Sequence, residues 1–254
     1  MKVLELFAGT KSIGNAFAKH GHEVISIDWD RTLPEMDYYM DVYSLTVKDV
    51  IRICHGRPQV IWASPDCATY SLASASQHRI KAPWGFEPVS DYAVKCDVGN
   101  RRLVELLLSV NPMAWFIENP RGMMRCMDFM LGLPRYTVTY CQYGESRQKP
   151  TDIWTNHPNP RFKPPCKRGD LCHVPTPRHT NIGPGTQSLN SAKERSRIPP
   201  ELCEHIVRIC EELYEEKERD NIESDHLRFQ HGYVVWSESE YRRAARREDT
   251  IGNR

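Results

Sequence analysis

The hydrophobic and polar positions in the first 120 residues alternate between two patterns, short apolar runs and helical spacing. The apolar runs, which predict buried strands, lie at residues 3–7, 23–27, 59–65 and 114–120. Apolar residues spaced three and four apart, which predict amphipathic helices, lie at residues 12–20, 47–54 and 101–110. This alternation of strand and helix predicts an α/β fold with a mostly parallel sheet and helices on both of its faces.

The second half of the chain has a different pattern. After a strand-like "YTVTYCQYG", residues 148–190 are rich in Pro, Gly, Asn, Cys and His and show almost no periodicity, which predicts a small loop-rich insert. Helical spacing returns after Pro199 and Pro200. The predicted division is therefore a sheet domain at 1–147, an insert at 148–192, a returning helix at 193–220 and a tail at 221–254.

The composition is that of an ordinary folded protein, with 40% hydrophobic and 26% charged residues in 254. No apolar run is long enough to span a bilayer and no signal-peptide pattern opens the chain, so we expect an intracellular protein without a membrane partner. Nine cysteines, an odd number, indicate thiols, a nucleophile or metal ligands rather than a disulfide framework. The net charge of +1 does not decide whether the chain binds nucleic acid.

Polar residues stand where the predicted strands end, and ligands of parallel sheets bind at those ends. Asp28 and Trp29 follow the second strand; an acidic residue there typically holds ribose hydroxyls, and the indole offers a face for adenine, so an adenosine-containing cofactor is predicted. Cys67 and Glu118 follow two later strands and provide a nucleophile and an acid. The alternatives are a buried structural cysteine, a capping glutamate, and a surface turn with a core tryptophan. The loop from Gly9 fits neither a P-loop nor the G-x-G-x-x-G fingerprint.

The order of these motifs resembles the C5-cytosine DNA methyltransferase family. The similar segments are "LELFAGTKSIG", "IDWD", "MDV", "SPDCATYS", "FIENP" and "QYGESRQKPTDIW", which cover most of residues 1–154 and, more faintly, 191–210. The resemblance implies a Rossmann-like S-adenosylmethionine-dependent methyltransferase fold, in which the first domain is catalytic and the insert recognises the target. It also implies S-adenosylmethionine as cofactor and double-stranded DNA as partner, in a small phage-like or restriction-modification-like enzyme working in a bacterial or phage-infected host.

The resemblance also implies roles for individual residues. Cys67 would attack C6 of a cytosine flipped out of the duplex, and Glu118 would contact N3 and the amino edge of that base. The implied cofactor contacts are Phe7, Ala8, Gly9, Thr10, Asp28, Trp29, Asp41, Val42 and Pro65. The implied substrate contacts are Ser71, Asn119, Arg147, Gln148 and Lys149.

Three positions depart from the family pattern. Asp66 stands between Pro65 and Cys67, and a carboxylate there would disfavour a thiolate unless it points away. The arginine pair expected after Gln148 is missing, and Lys11 and Ser12 stand where the family commonly has glycines. Two alternatives therefore remain: the same fold acting on RNA or a free nucleotide, and a catalytically impaired protein that only binds nucleic acid.

The insert contains a group of metal-ligand residues. "CKRGDLCH" places Cys166, Cys172 and His173 within eight residues of a segment too small to have its own core, which favours a structural zinc ion. The fourth ligand would be Cys141 or His179. Because the spacing is not a common zinc pattern, unligated loop thiols are the alternative.

Overall fold

The structure is a computed structural model. It describes residues 1–33, 35–83, 85–167, 169–173 and 192–230, without the side chains of residues 75, 192–193 and 224–230. His179, the alternative fourth ligand, lies outside the described residues. So do two segments of the tail: "GYVVW", whose pattern predicts a strand, and "EYRRAARRED", whose arginines predict a solvated helix face.

In the described residues, nine strands form two sheets. The strands are β1 (Lys2–Leu6), β2 (Glu23–Asp28), β3 (Tyr38–Tyr39), β4 (Val60–Ala63), β5 (Arg79–Ala82), β6 (Gly85–Pro88), β7 (Ala114–Pro120), β8 (Arg135–Thr139) and β9 (Pro150–Thr155). The main sheet has seven strands in the order β3-β2-β1-β4-β7-β9-β8, while β5 and β6 form a separate antiparallel hairpin. In the main sheet, β3, β2, β1, β4 and β7 are parallel to one another, and β9 is antiparallel to both β7 and β8. The predicted α/β, Rossmann-like class with a mostly parallel sheet is confirmed.

The strand order places a topological switch point between β1 and β4. From β1 the chain builds outward through β2 to β3, and from β4 it builds in the other direction to β7. Ligands of open α/β sheets bind in the crevice beyond the carboxyl ends of the strands at such a point. The loops that follow β1 and β4 therefore border the expected ligand crevice.

Within the part of the chain that the structure describes, six helices accompany the sheet: α1 (Ser12–Lys19), α2 (Val47–Ile53), α3 (Ala75–His78), α4 (Asp91–Val110), α5 (Ala192–Ser196) and α6 (Pro200–Gln230). Alternate residues of the central strands point to opposite faces. Leu4 and Leu6 of β1 lie in the main hydrophobic core together with buried residues of α2 and α4. Glu5 points to the other face, where its carboxylate accepts the Gly14 N–H of α1. Helices thus cover both faces, as predicted.

The helix starts follow the local sequence. Thr46 and Asp49 form a capping box at the start of α2, and the Ser90 side chain accepts the Ala93 N–H at the start of α4. Helix α4 ends at Asn111 in the left-handed conformation that terminates many helices. The predicted segment at 101–110 is the second half of this helix, whose first half the periodicity did not indicate.

The described structure changes three predicted boundaries. Residues 150–155, assigned to the loop-rich insert, form β9 of the main sheet. Because every side chain from Thr151 to Thr155 is buried, this strand lacks the alternation of apolar and polar residues that marks a half-exposed strand. The returning helix predicted at 193–220 is two helices, α5 and α6, and α6 continues to Gln230 in the predicted tail.

The chain divides into two compact units, residues 1–210 and 211–254. Every residue of the candidate site and of the proposals below belongs to the first unit. Among the described residues, no helix combines the length and the apolar character needed to cross a membrane.

Candidate functional site

Cys67 lies in the loop that follows β4. It precedes a short 3-10 turn, Ala68–Tyr70, and its side chain is half-buried. The Asn119 side chain, which extends from β7, donates from Nδ2 to the Pro65 carbonyl at 3.0 Å. A hydrogen bond from the neighbouring strand therefore fixes the position of the loop that carries the thiol.

Asp66, the unexpected carboxylate beside Cys67, has its own hydrogen-bond donors. The Ala68 N–H donates to Asp66 Oδ1 at 2.6 Å, and the Tyr92 hydroxyl of α4 donates to Oδ2. These two donors direct the carboxylate toward the 3-10 turn and α4. Its negative charge nevertheless acts on the thiol, as the pKa of Cys67 shows.

The pKa of the Cys67 thiol is raised to about 11, first by burial and then by the negative charges of Glu118 and Asp66. The positive charge of Lys149 acts in the opposite direction. Since only the thiolate is a strong nucleophile, the unliganded site holds Cys67 largely in its unreactive thiol form at neutral pH.

Glu118 lies on β7, beside the Cys67 loop. Its side chain is 6% exposed, and the Tyr140 hydroxyl donates to Oε1 at 3.1 Å. Strands β4 and β7 are parallel with Ala63 opposite Ile117, so their carboxyl ends bring the Cys67 loop and Glu118 to one edge of the sheet. The structure thus brings together the predicted nucleophile and the predicted acid.

Lys149 joins this pair from the segment before β9. Its ammonium lies 4.4 Å from the centre of the Tyr140 ring and donates to the Arg195 carbonyl at 2.8 Å. Burial lowers the pKa of Lys149, and the charges of Glu118 and Cys67 partly offset that effect. A predicted substrate contact is therefore placed within the electrostatic field of both proposed catalytic side chains.

The other predicted substrate contacts lie in less open surroundings. Asn119 is fully buried against Pro65, and Ser71 Oγ accepts the Ala73 N–H at the end of the 3-10 turn. Arg147 is buried in an ion pair with Glu145. Gln148 donates from Nε2 to Cys166 Sγ at 3.1 Å. The contacts of these four residues with substrate remain predictions.

The predicted cofactor loop follows β1. Phe7, Gly9 and Lys11 all have left-handed backbone conformations, with φ of 55°, 51° and 53°. Such a sequence of turns brings the Ala8 N–H to the Ile27 carbonyl of β2, at 3.1 Å. Lys11 precedes α1 without a side-chain cap of its own, and the first-turn Gly14 N–H is instead satisfied by the Glu5 carboxylate of β1.

The second predicted cofactor element is the end of β2. Asp28 is buried and accepts the Gly9 N–H at Oδ2 and the Asp30 N–H at Oδ1, both at 3.0 Å. Trp29, next to it, is 68% exposed, so the interpretation of this side chain as core filler is wrong. Asp28 therefore joins the two strand-end loops, and Trp29 presents an aromatic surface beside them.

The remaining predicted cofactor contacts fall into two groups. Thr10 and Asp41 are partly or fully exposed; Thr10 Oγ1 lies 2.7 Å from Ser12 Oγ, and Asp41 Oδ1 accepts the Tyr43 N–H at 3.0 Å. Ala8, Val42 and Pro65 are buried, with Val42 in the main core. The side chains of Thr10 and Asp41 are therefore accessible to a ligand, whereas Ala8, Val42 and Pro65 would contact it through the backbone.

The four residues predicted to ligate a metal are brought together. The ligand atoms of Cys141, Cys166, Cys172 and His173 all lie within 4.8 Å of one another. Cys141 belongs to the 3-10 turn Tyr140–Tyr143 that follows β8, so this cluster lies next to the strand end that carries Tyr140.

Several residues of the site carry no signal in the sequence. Tyr140 reaches Glu118 only because β8 and β9 return to the sheet beside β7. Arg79 donates from Nε to the Thr69 carbonyl at 2.7 Å and pairs with Asp97 of α4, which ties the Cys67 loop to that helix. Gly122 passes so close to this loop that a Cβ there would meet the Tyr70 carbonyl oxygen at 2.3 Å. Only its position two residues after the "ENP" motif could have drawn attention to Gly122.

No protein-family model matches the sequence. A Frog virus 3 (isolate Goorha) protein named "Probable DNA (cytosine-5)-methyltransferase" is 27% identical over 237 residues, covering 83% of this chain and all of the relative.

Two solved structures are also similar. A DNA modification methyltransferase encoded within a prophage (E. coli) matches at a TM-score of 0.45 and 14% identity, over 61% of this chain and 46% of its own. The S. pombe Dnmt2 methyltransferase matches at 0.44 and 16%, over 61% of this chain and 49% of its own. The present chain thus matches about half the length of each solved structure. The resemblance to the C5-cytosine DNA methyltransferases, which the motifs indicate, is confirmed by the viral relative that aligns along most of the chain.

Proposed function

We propose that the protein methylates C5 of cytosine in double-stranded DNA, with S-adenosylmethionine as methyl donor. The observation that carries this proposal is the convergence of Cys67, Glu118 and Lys149 at adjacent strand ends, in a chain similar to a viral protein named for that activity. The residues have the chemical types that the reaction needs: a thiol, an acid and a cation.

The residues beyond β1 and β2 fit S-adenosylmethionine. The N-terminus of α1 directs the positive end of the helix dipole toward the loop after β1, which favours the methionine carboxylate there. Asp28 provides carboxylate oxygens for the ribose hydroxyls, and the exposed Trp29 provides a face for the adenine. When bound, the cofactor supplies an electrophilic methyl group for C5 of the target base.

Cys67 would act as the nucleophile. Its thiol proton leaves to solvent, and the thiolate attacks C6 of the cytosine, forming an S–C6 bond and making C5 electron-rich. Because burial raises the pKa of this thiol to about 11, attack requires the thiolate to be stabilised in the complex. Lys149 is the cation placed to contribute to that stabilisation. After C5 gains the methyl group, loss of the C5 proton re-forms the C5–C6 double bond and expels Cys67.

Glu118 would hold the pyrimidine ring. Its carboxyl group, oriented by Tyr140, would contact N3 and the amino edge of cytosine and share a proton with N3, so that the negative charge developing in the ring during attack at C6 is stabilised. Both C6 and this edge are inaccessible within a stacked duplex. The target cytosine would therefore have to flip out of the helix to reach the two side chains.

Asp66 motivates the impaired-enzyme alternative because its charge raises the pKa of the Cys67 thiol, but its hydrogen bonds give the carboxylate a role that is compatible with activity. With Ala68 and Tyr92 as donors, the carboxylate is directed to a structural role beside the thiol. The viral source of the relative is compatible with a chain that works inside an infected cell, and DNA is the substrate that we infer.

A mechanism-based trap tests the reaction and the nucleophile together. Duplex DNA of random sequence in which every cytosine is 5-fluorocytosine is incubated with the full chain and S-adenosylmethionine. Fluorine at C5 cannot leave as a proton does, so Cys67 stays attached to C6 after methylation. We expect a protein–DNA adduct that survives denaturing electrophoresis.

The control pair separates the nucleophile from other cysteines. Cys67→Ser should give no adduct, whereas Cys126→Ser, which changes an exposed cysteine, should give the wild-type amount. An adduct that persists in Cys67→Ser would reject our nucleophile. The absence of any DNA adduct, in protein shown to bind the cofactor, would reject DNA methylation, and an adduct with 5-fluorocytosine RNA alone would replace DNA by RNA.

A further inference from the structure

The cluster of three thiols and one imidazole is assembled from two distant parts of the chain. Cys141 comes from the 3-10 turn after β8, and Cys166, Cys172 and His173 come from the segment after β9. Cys141 Sγ lies 3.3 Å from Cys166 Sγ and 3.5 Å from Cys172 Sγ. His173 Nδ1 lies 3.8 Å from Cys166 Sγ and 3.6 Å from Cys172 Sγ.

These separations correspond to a tetrahedron of ligands around one ion. With Zn–S bonds of about 2.3 Å, two sulfurs of a tetrahedral site lie about 3.8 Å apart, and a sulfur and a nitrogen lie slightly closer. All three cysteines are thiols in the structure, and their sulfurs are well beyond the disulfide distance of about 2.05 Å. The spacing thus matches a shared ion better than a covalent bridge.

The surroundings of the thiols also suit a metal site. Gln148 donates from Nε2 to Cys166 Sγ at 3.1 Å, and Gln142 donates from Nε2 to Cys172 Sγ at 3.4 Å. The Cys166 N–H donates to Thr139 Oγ1 at 2.9 Å, which anchors the first thiol of the segment to the end of β8. Amide donors to metal-bound sulfur stabilise the thiolate and orient the ligand.

We propose that Cys141, Cys166, Cys172 and His173 bind one zinc ion, which fastens the segment after β9 to the end of β8. Three thiolates and one imidazole are the soft donor set of a structural zinc site, and four protein ligands leave no open position for chemistry. The segment has little core of its own: Leu171 is fully exposed and Cys166, Cys172 and His173 are only partly buried. The ion therefore supplies cohesion that apolar burial does not.

The place of the site gives the ion a second consequence. Cys141 directly follows Tyr140, and Gln148, the donor to Cys166, directly precedes Lys149. Tyr140 and Lys149 both interact with Glu118 in the proposed catalytic site. Loss of zinc should thus loosen Tyr140 and Lys149 as well as the segment itself.

Metal analysis of the full chain tests the site. Protein purified without chelator from zinc-supplemented cells should contain about one zinc ion per chain. Cys166→Ser and Cys172→Ser should each lower that content at least about fivefold, because a lost thiolate leaves three ligands. Cys126→Ser should keep the wild-type content. Wild-type zinc content in either cluster variant would place the ion elsewhere and overturn the proposal.

Cobalt substitution and thermal melting keep the test independent of variant folding. Wild-type chain stripped of metal and given Co²⁺ should gain the visible absorption of tetrahedral thiolate coordination. Stripping should lower the melting temperature by several degrees, at least about 5 °C, and Zn²⁺ should restore it.

Purified protein that contains no zinc, takes up no Co²⁺ and retains its thiols would overturn the site. A mass two hydrogens lower, with two of the three thiols unreactive, would replace the ion by a disulfide. None of these results depends on methylation. An active enzyme without zinc would reject this inference alone, and a zinc-loaded chain that never forms the DNA adduct would reject the proposed function alone.

Discussion

The parallel part of the main sheet and its antiparallel edge are built in different ways. In the parallel part, β1, β2, β4 and β7 follow one another through helices and bury apolar side chains on both faces. At the edge, β9 inserts between β7 and β8, and its buried side chains include Asp152, which is fully enclosed. The first region is held by apolar burial, and the second depends on paired charges.

Glu5 in the parallel part and Asp152 at the edge are both buried acids, and the two have different partners. Glu5 on β1 accepts the Gly14 N–H and the Ser26 hydroxyl, so neutral donors surround it. Asp152 on β9 pairs with Arg125 and also accepts the Thr137 hydroxyl. Burial raises the pKa of Glu5 to about 7, and its hydrogen bonds and the more distant charge of Lys11 offset that effect only in part. The buried charge of Asp152 thus depends on Arg125, whereas Glu5, which has no ion-pair partner among the described residues, can be buried because its raised pKa favours the neutral, protonated form.

The largest effect is expected at the antiparallel edge. Arg125→Ala removes the partner of a carboxylate whose side chain is 1% exposed, and leaves that charge uncompensated. We expect the free energy of unfolding to fall by about 3–5 kcal/mol. Chemical denaturation followed by circular dichroism measures the change.

The matched control is Arg101→Ala. Its ion pair with Asp128 has side chains that are 49% and 71% exposed, so its loss should cost no more than about 1 kcal/mol. Equal losses in the two variants would contradict the proposed dependence of the edge on its buried ion pair.

A smaller effect is expected at Glu5, in the pH dependence of stability. The folded-state pKa of about 7 lies above the usual 4.5, so the contribution of Glu5 is fully present at low pH and is lost as the pH rises through about 7. Between about pH 5 and about pH 8.5, the titration of Glu5 should lower the free energy of unfolding of the wild type by an amount on the order of 2–3 kcal/mol. Glu5→Gln should not show this decrease. Denaturation curves at several pH values give the difference.

Glu23→Gln serves as the control, because Glu23 is an exposed glutamate at the start of β2. Its pH profile should follow the wild type. If the Glu5→Gln profile also follows the wild type, the carboxyl group of Glu5 titrates normally and the contrast between the two buried acids disappears.

The smallest effect is expected at Lys11, on the cofactor side of the parallel part. Its ammonium donates to the Glu35 carbonyl at 2.8 Å on an exposed part of the loop. If it also helps to attract the methionine carboxylate, Lys11→Ala should raise the dissociation constant of S-adenosylmethionine by no more than about threefold. Isothermal titration calorimetry measures the constant, with Lys19→Ala of the same helix as control. An unchanged constant would leave Lys11 as a surface residue.

Sequence patterns predicted the parallel part closely because its information is local. The strand at Glu23–Asp28 and the helices at Ser12–Lys19 and Val47–Ile53 lie within a residue or two of the predicted bounds. Each unit carries its own apolar period and its own turn. The β5–β6 hairpin was not predicted because each of its strands has only four residues, and β9 was not predicted because its side chains do not alternate between apolar and polar.

The candidate site divides in the same way. Residue types and spacing indicated Cys67 and Glu118, and also three metal ligands with Cys141 or His179 as the fourth; the structure brings Cys67 near Glu118 and places Cys141 with the other three ligands. The hydrogen bond from Tyr140 to Glu118 and the anchoring of the Cys67 loop by Arg79 depend on chain segments far apart in sequence. Spacing along the chain contains no information on such pairs.

The sequence by itself determined the fold class, the order of the strand-end motifs and the residue types available for chemistry, because local periodicity and turn residues encode all three. Tertiary structure alone decided the environment of those residues. It directs Asp66 toward Ala68 and Tyr92, places the charge of Lys149 where it acts on Cys67, and raises the pKa of that thiol. Burial and electrostatic interaction depend on distance in space, and only the completed sheet sets those distances.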